Sequence, residues 1–81
     1  MDKAKTLEHL RAQVTVIRWH LDAAALEQGD KKRRHLDGAT LTYQGAMELS
    51  ARIEFPDGER AVITKQLEEL KERLRAAGQA V

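Results

Sequence analysis

The sequence has no cysteine, one proline and one serine, and its only aromatic residues are one tryptophan, one tyrosine and one phenylalanine. Without cysteine there is no disulfide and no thiolate metal site, which favours an intracellular setting. No apolar run approaches the roughly 18 residues that span a bilayer, and charges interrupt the N-terminus. We therefore expect a soluble, cytoplasmic protein without a signal peptide. Because few large side chains can be buried, self-association would add stability.

Sequence motifs that carry catalysis are also missing. There is no glycine-rich phosphate loop and no cysteine nucleophile, and Ser50 has no nearby base. His9, His20 and His35 are too far apart in sequence to indicate a set of metal ligands. We predict that the protein is not an enzyme, holds no cofactor and no metal, and takes no small-molecule substrate.

The length of 81 residues and the net charge of +1 set further limits. A chain this short forms one domain, here residues 1–81, with a modest core. A nearly neutral charge is unlike that of the strongly basic domains that coat nucleic acid.

Apolar residues recur every three or four positions in the N-terminal third of the chain. This stripe consists of Leu7, Leu10, Val14, Ile17, Leu21 and Ala24. It predicts a helix over about residues 3–28, with Asp2 or Thr6 as a cap and Gly29 as a stop. At about 1.5 Å per residue, such a helix is longer than we expect the rest of a small domain to cover.

The opposite side of this helix carries a second apolar series. Its members are Ala12, Val16, Trp19, Ala23 and Leu26. A helix with two apolar faces packs one on its own domain and the other on a further element or another molecule. Trp19 is either a core anchor under the rest of the fold or a binding residue in an interface.

The middle of the chain alternates between apolar and polar residues, which is typical of β-strands. Apolar residues take the odd positions, namely Leu41, Tyr43, Met47, Leu49, Ala51, Ile53 and Phe55. Residues 39–63 are therefore predicted to form a two- or three-stranded antiparallel sheet. Residues 56–58 form its hairpin turn and place Glu54 opposite Arg60. The helix propensity of residues 46–48 keeps an all-helical alternative open.

The C-terminal part returns to helical spacing. Its apolar stripe consists of Leu67, Leu70, Leu74 and Ala77. We predict a helix over residues 64–77 that is capped by Thr64 and ended by Gly78. The predicted fold class is therefore α+β, a long N-terminal helix with a small antiparallel sheet and a C-terminal helix, and the alternative is an all-α helical bundle.

Residues 29–38, "GDKKRRHLDG", contain the strongest local concentration of charge. The basic run Lys31, Lys32, Arg33 and Arg34 is interpreted as a solvated connection after a helix C-terminus, where cations are favourable. Phosphate contact is the competing interpretation, although no aromatic residue lies beside the run to stack on bases.

These patterns lead to a functional hypothesis based on binding. The protein is expected to be a small regulator or inhibitor, of the kind encoded by phages, other mobile elements or bacteria, that occupies a surface of a larger protein and also forms a homodimer. Trp19, Val16, Ala23 and Leu26 are the expected apolar contacts, and Arg18 and the basic run are expected at the rim. The alternative is a dimeric nucleic-acid-binding regulator that uses residues 31–34. A purely structural subunit of a larger assembly is a third hypothesis.

Overall fold

The described residues form three helices. A computed structural model describes residues 3–56 and 58–81, with α1 at Lys3–Leu26, α2 at Gly29–Arg52 and α3 at Glu59–Ala76. No strand occurs among these described residues, so the α+β prediction was wrong and the all-helical alternative is the one the structure matches. In the described part of the chain, no helix is both long and apolar enough to cross a membrane.

The helices run up, down and up. Residues 27 and 28 alone connect α1 to α2, and the contact of His20 with His35 fixes their antiparallel register. Helix α3 runs parallel to α1, because Arg11 pairs with Glu59 near one end and Asp22 with Arg73 near the other. The resulting bundle measures 41 × 21 × 17 Å.

The apolar stripe of α1 forms one side of the core, as the sequence predicted. All six of its members are buried: Leu7, Leu10, Val14, Ile17, Leu21 and Ala24. The helix ends at Leu26, two residues before the predicted end. Because α1 and α2 each have 24 residues, α2 covers the full length of α1, which the predicted short sheet could not have done.

Helix α2 replaces the predicted sheet because its apolar residues also follow a helical period. The buried residues are Leu36, Ala39, Tyr43 and Ala46, and Ser50 and Ile53 continue the spacing as half-buried residues. Two of the four buried residues are alanines, which are weakly apolar but strong helix formers. Leu41 and Met47 are exposed, and these two side chains created the misleading alternation at odd positions.

The predicted hairpin turn is instead part of the connection between α2 and α3. Asp57, its central residue, lies outside the described residues, as does Asp2, one of the two proposed caps of α1. Gly58 immediately precedes α3, so Thr64 is an exposed residue inside that helix and not its cap. Arg60 does not lie across a strand pair from Glu54. Its guanidinium lies over the Phe55 ring, 4.9 Å from the centroid.

Helix α3 packs through Ile63 and through the predicted leucines at 67, 70 and 74, whereas Ala77 is exposed. The helix ends at Ala76, one residue before the predicted end, and the chain reverses at Gly78, the predicted stop, where φ is +89°. The Gly78 N–H donates to the Arg75 carbonyl and the Gln79 N–H donates to the Leu74 carbonyl, both at 2.9 Å, which is the Schellman pattern. The reversed chain then reaches α2, where the Thr40 hydroxyl donates to Gln79 Oε1 at 2.7 Å.

Candidate functional site

The second apolar series of α1 faces away from the core. Trp19 is 59% exposed, Val16 41% and Leu26 87%, while Ala23 is half-buried. The core role that was open for Trp19 is therefore wrong. The surface role remains, because α3 leaves Trp19 exposed even though its Arg73 pairs with Asp22, one turn along α1.

Helix α2 adds an apolar residue to this surface. A Cβ placed on Gly38 would lie 3.2 Å from the His20 ring, and one on Gly45 would lie 3.3 Å from Gln13 Nε2. Leu41 lies between the two glycines, so the antiparallel register places it level with residues 16 and 17 of α1. Leu41 is 69% exposed. We call the surface formed by Val16, Trp19 and Leu41 the outer face.

Sequence reasoning missed Leu41 as part of this surface because it placed residue 41 in a strand. Once α2 is treated as a helix, Leu41 falls outside the buried stripe and appears as an exposed leucine. Leu26 lies at the last position of α1, at the edge of the outer face. Arg18 is exposed. Because it directly precedes Trp19 and successive side chains of a helix are about 100° apart, it lies at the flank of Trp19.

Trp19 has a defined position because two histidine rings support it. Its ring makes edge contacts with His20 at 4.9 Å and with His35 at 5.3 Å between centroids. The two histidines also contact each other, with their Nδ1 atoms 3.0 Å apart. Burial lowers the pKa of His20, and the neighbouring His35 lowers it further. The indole is thus exposed on one side and held on the other.

The basic run begins α2 and is not a connection after a helix. All four side chains are exposed, and the Arg33 Nε lies 3.9 Å from Asp37, a weak contact one turn along. Cations are unfavourable at a helix N-terminus, where the backbone dipole is positive. The electrostatic reason given for the solvated interpretation was therefore wrong, because it assumed a helix C-terminus.

Two open clefts lie between the helices. One of about 300 Å³ has an apolar floor that includes Leu21 and Leu36, with Lys32 and Arg73 at its edge. The other, about 160 Å³, lies between α2 and α3 beside Tyr43. Burial raises the pKa of that phenol, Arg75 lowers it and Glu68 raises it. Ser50, Glu68 and Lys71 also line the second cleft, and the Ser50 hydroxyl donates to the Met47 carbonyl at 3.1 Å.

Metal binding requires several ligands at one place. Among the described residues, no group of three or more histidine, aspartate or glutamate side chains is arranged to hold a metal ion. His9 lies in the N-terminal part of α1, about three turns from the pair formed by His20 and His35.

Comparison with known proteins leaves the outer face as the main guide to function. No protein-family model, no curated protein and no solved structure matches this chain.

Proposed function

We propose that this chain is a small, cytoplasmic, non-enzymatic regulator or inhibitor that binds a larger protein through the outer face of the α1–α2 hairpin. The observation that carries the proposal is the position of Trp19, the only tryptophan, on the surface and not in the core. A protein with so few aromatic residues gains most stability by burying them. Trp19 is instead exposed and held in place, as expected of a binding residue.

The neighbours of Trp19 support the same function. Val16 and Leu41 extend the apolar area across two helices. Arg18 and the basic run supply exposed cations on the same two helices, although Lys32 lines the cleft beside Leu21 and Leu36. Apolar centres with charged rims are typical of protein interfaces, where the centre supplies affinity and the rim favours encounter. The same face is available for a homodimer.

The test is a pull-down of the tagged protein from its host lysate, with Trp19→Ala as the main variant. Loss of an interface tryptophan costs about 2 kcal/mol or more, roughly thirtyfold in Kd. We expect the captured protein to be lost with Trp19→Ala and to survive nuclease treatment of the lysate. Analytical ultracentrifugation of the same variant shows whether a homodimer uses this face.

The chain offers a matched control for this experiment. Val16 lies on the outer face and Val62 lies on α3, and both are exposed helical valines. Val16→Ala should weaken capture and Val62→Ala should not. Equal capture by the wild type, Trp19→Ala and Val16→Ala would refute the proposal.

A second candidate function is nucleic-acid binding through Lys31, Lys32, Arg33 and Arg34. These cations lie in the first turns of α2, where their charge is unfavourable next to the positive end of the helix dipole. A bound polyanion would neutralise that charge, which favours this candidate. Replacing all four residues by Gln should then abolish capture, and nuclease should do the same. If this variant captures its partner normally, the nucleic-acid candidate is wrong.

A further inference from the structure

The contact between His20 and His35 restricts how many protons the pair can hold. With the Nδ1 atoms 3.0 Å apart, one ring must donate an N–H and the other must accept with a bare nitrogen. The contact therefore exists when both rings are neutral or when one is protonated. It cannot exist when both are protonated, because both Nδ1 atoms then carry hydrogen.

Groups from both helices bound the His20 ring. The backbone of Gly38 lies directly behind His20, so close that a Cβ there would be 3.2 Å from two atoms of the ring. His35 lies on one side of His20, and Trp19 packs against the edges of both. Both histidines remain half-exposed, so water can reach the pair.

The carboxylates nearest to the pair along the two helices already have cationic partners, since Asp22 pairs with Arg73 and Asp37 lies 3.9 Å from Arg33 Nε. The nearest charged groups along the two helices are exposed, namely Arg18 and Asp22 on α1 and Lys31, Arg34 and Asp37 on α2. From α3, Arg73 reaches this end of the bundle and pairs with Asp22 at 2.8 Å. The pKa of His20 is lowered by its burial and by His35.

We infer that the His20–His35 pair is a proton-operated switch that holds Trp19 against the α1–α2 hairpin and releases it once both rings are protonated. While at least one Nδ1 is without hydrogen, the two rings share a hydrogen bond and support the indole. When the second proton binds, the hydrogen bond is lost, the two cations repel each other and Trp19 loses its support. The expected loss of partner affinity at acidic pH rests on the proposed function. The movement of Trp19 does not depend on it.

The direction of the pH effect follows from the lowered pKa. In the unfolded chain His20 binds a proton near its ordinary pKa of 6.5, and in the folded chain it does so at lower pH. The unfolded state therefore holds more protons between these two values, and stability falls as pH decreases through that window. The full contribution is present above pH 6.5.

The experiment is a fluorescence titration of the intact protein from pH 8 to pH 4.5 in EDTA, read through its single tryptophan. We expect a change in emission with a midpoint below pH 6.5, while far-UV circular dichroism shows that the helices persist. His35→Gln should remove the transition because it leaves one titrating ring. His9→Gln, a change at an exposed histidine of α1, should keep it.

Several outcomes would overturn the inference. One is a wild-type emission that does not change with pH, and another is the same transition in His35→Gln. A third is an emission change that coincides with loss of helix. A fourth is a signal that appears only without EDTA, which would indicate a metal ion bound between the histidines. If His35→Gln does not fold, imidazole NMR of the wild type decides. Coupled NMR titration curves of His20 and His35 support the switch, and independent titration of all three histidines refutes it. Because no partner is present, failure here leaves the outer-face proposal intact, and failed capture by the outer face leaves the switch intact.

Discussion

At the scale of single residues, two glycines allow α1 and α2 to approach closely. Gly38 and Gly45 are one heptad apart on the side of α2 that faces α1. A side chain at either position would meet α1, at the His20 ring in one case and at the Gln13 amide in the other. The two obstacles differ, because the histidine ring is held by aromatic neighbours and the Gln13 amide is the end of a flexible side chain.

This difference predicts unequal effects of alanine at the two positions. Replacing glycine by alanine inside a helix raises the free energy of unfolding by about 0.5–1 kcal/mol when space permits. We expect Gly45→Ala to gain about that amount, since Gln13 can shift and its Oε1 is buried without a hydrogen-bond partner. Gly38→Ala should gain less or lose stability in urea unfolding. Equal gains would show that the His20 ring moves freely.

At the scale of helices, the sequence correctly predicted the two helices whose buried stripes consist mainly of large aliphatic residues, α1 and α3. The six members of the α1 stripe and the leucines of α3 were identified correctly because leucine, isoleucine and valine dominate both sets. Helix α2 was missed because half of its buried residues are alanines, while Leu41 and Met47 point outward. The spacing placed Val16 and Trp19 on the second face of α1 but left open whether Trp19 is buried. The position of Leu41 and the contact between His20 and His35 required the partner helix.

The end of α3 provides a prediction at this scale. Gly78 has φ of +89° and no atom within 4 Å of a Cβ placed on it, so a substitution there is penalised by backbone strain alone. Gly78→Ala should lower the free energy of unfolding by about 1–2 kcal/mol. Gly78→Asn is the control and should lose less, because asparagine tolerates the left-handed region. Equal losses in thermal unfolding would indicate that the helix end relaxes into another conformation.

At the scale of the whole molecule, the bundle divides its leucines between a core that determines stability and a surface available for binding. Leu10 is fully buried in the core, and Leu41 lies on the outer face. Domains of this size are stable by about 5–15 kcal/mol, so one core truncation removes a large share of that. A surface truncation removes little unless a second molecule covers it.

A matched pair of leucine substitutions tests this division. Leu10→Ala should lower the free energy of unfolding by about 2–5 kcal/mol, because it leaves a cavity in a closed core. Leu41→Ala should change it by no more than about 0.5 kcal/mol. Urea unfolding at low protein concentration measures both. A large loss for Leu41→Ala that grows with protein concentration would show that a second copy covers the outer face.

The two-residue connection between α1 and α2 also affects the order in which contacts form. Closing a short loop costs little chain entropy, and contacts between neighbouring elements form fast, so the α1–α2 hairpin can assemble before α3 docks. Trp19, His20 and His35 all belong to that hairpin. The Trp19 fluorescence during refolding is therefore expected to follow the docking of α1 on α2. It does not follow the docking of α3, which buries Leu70 and Leu74.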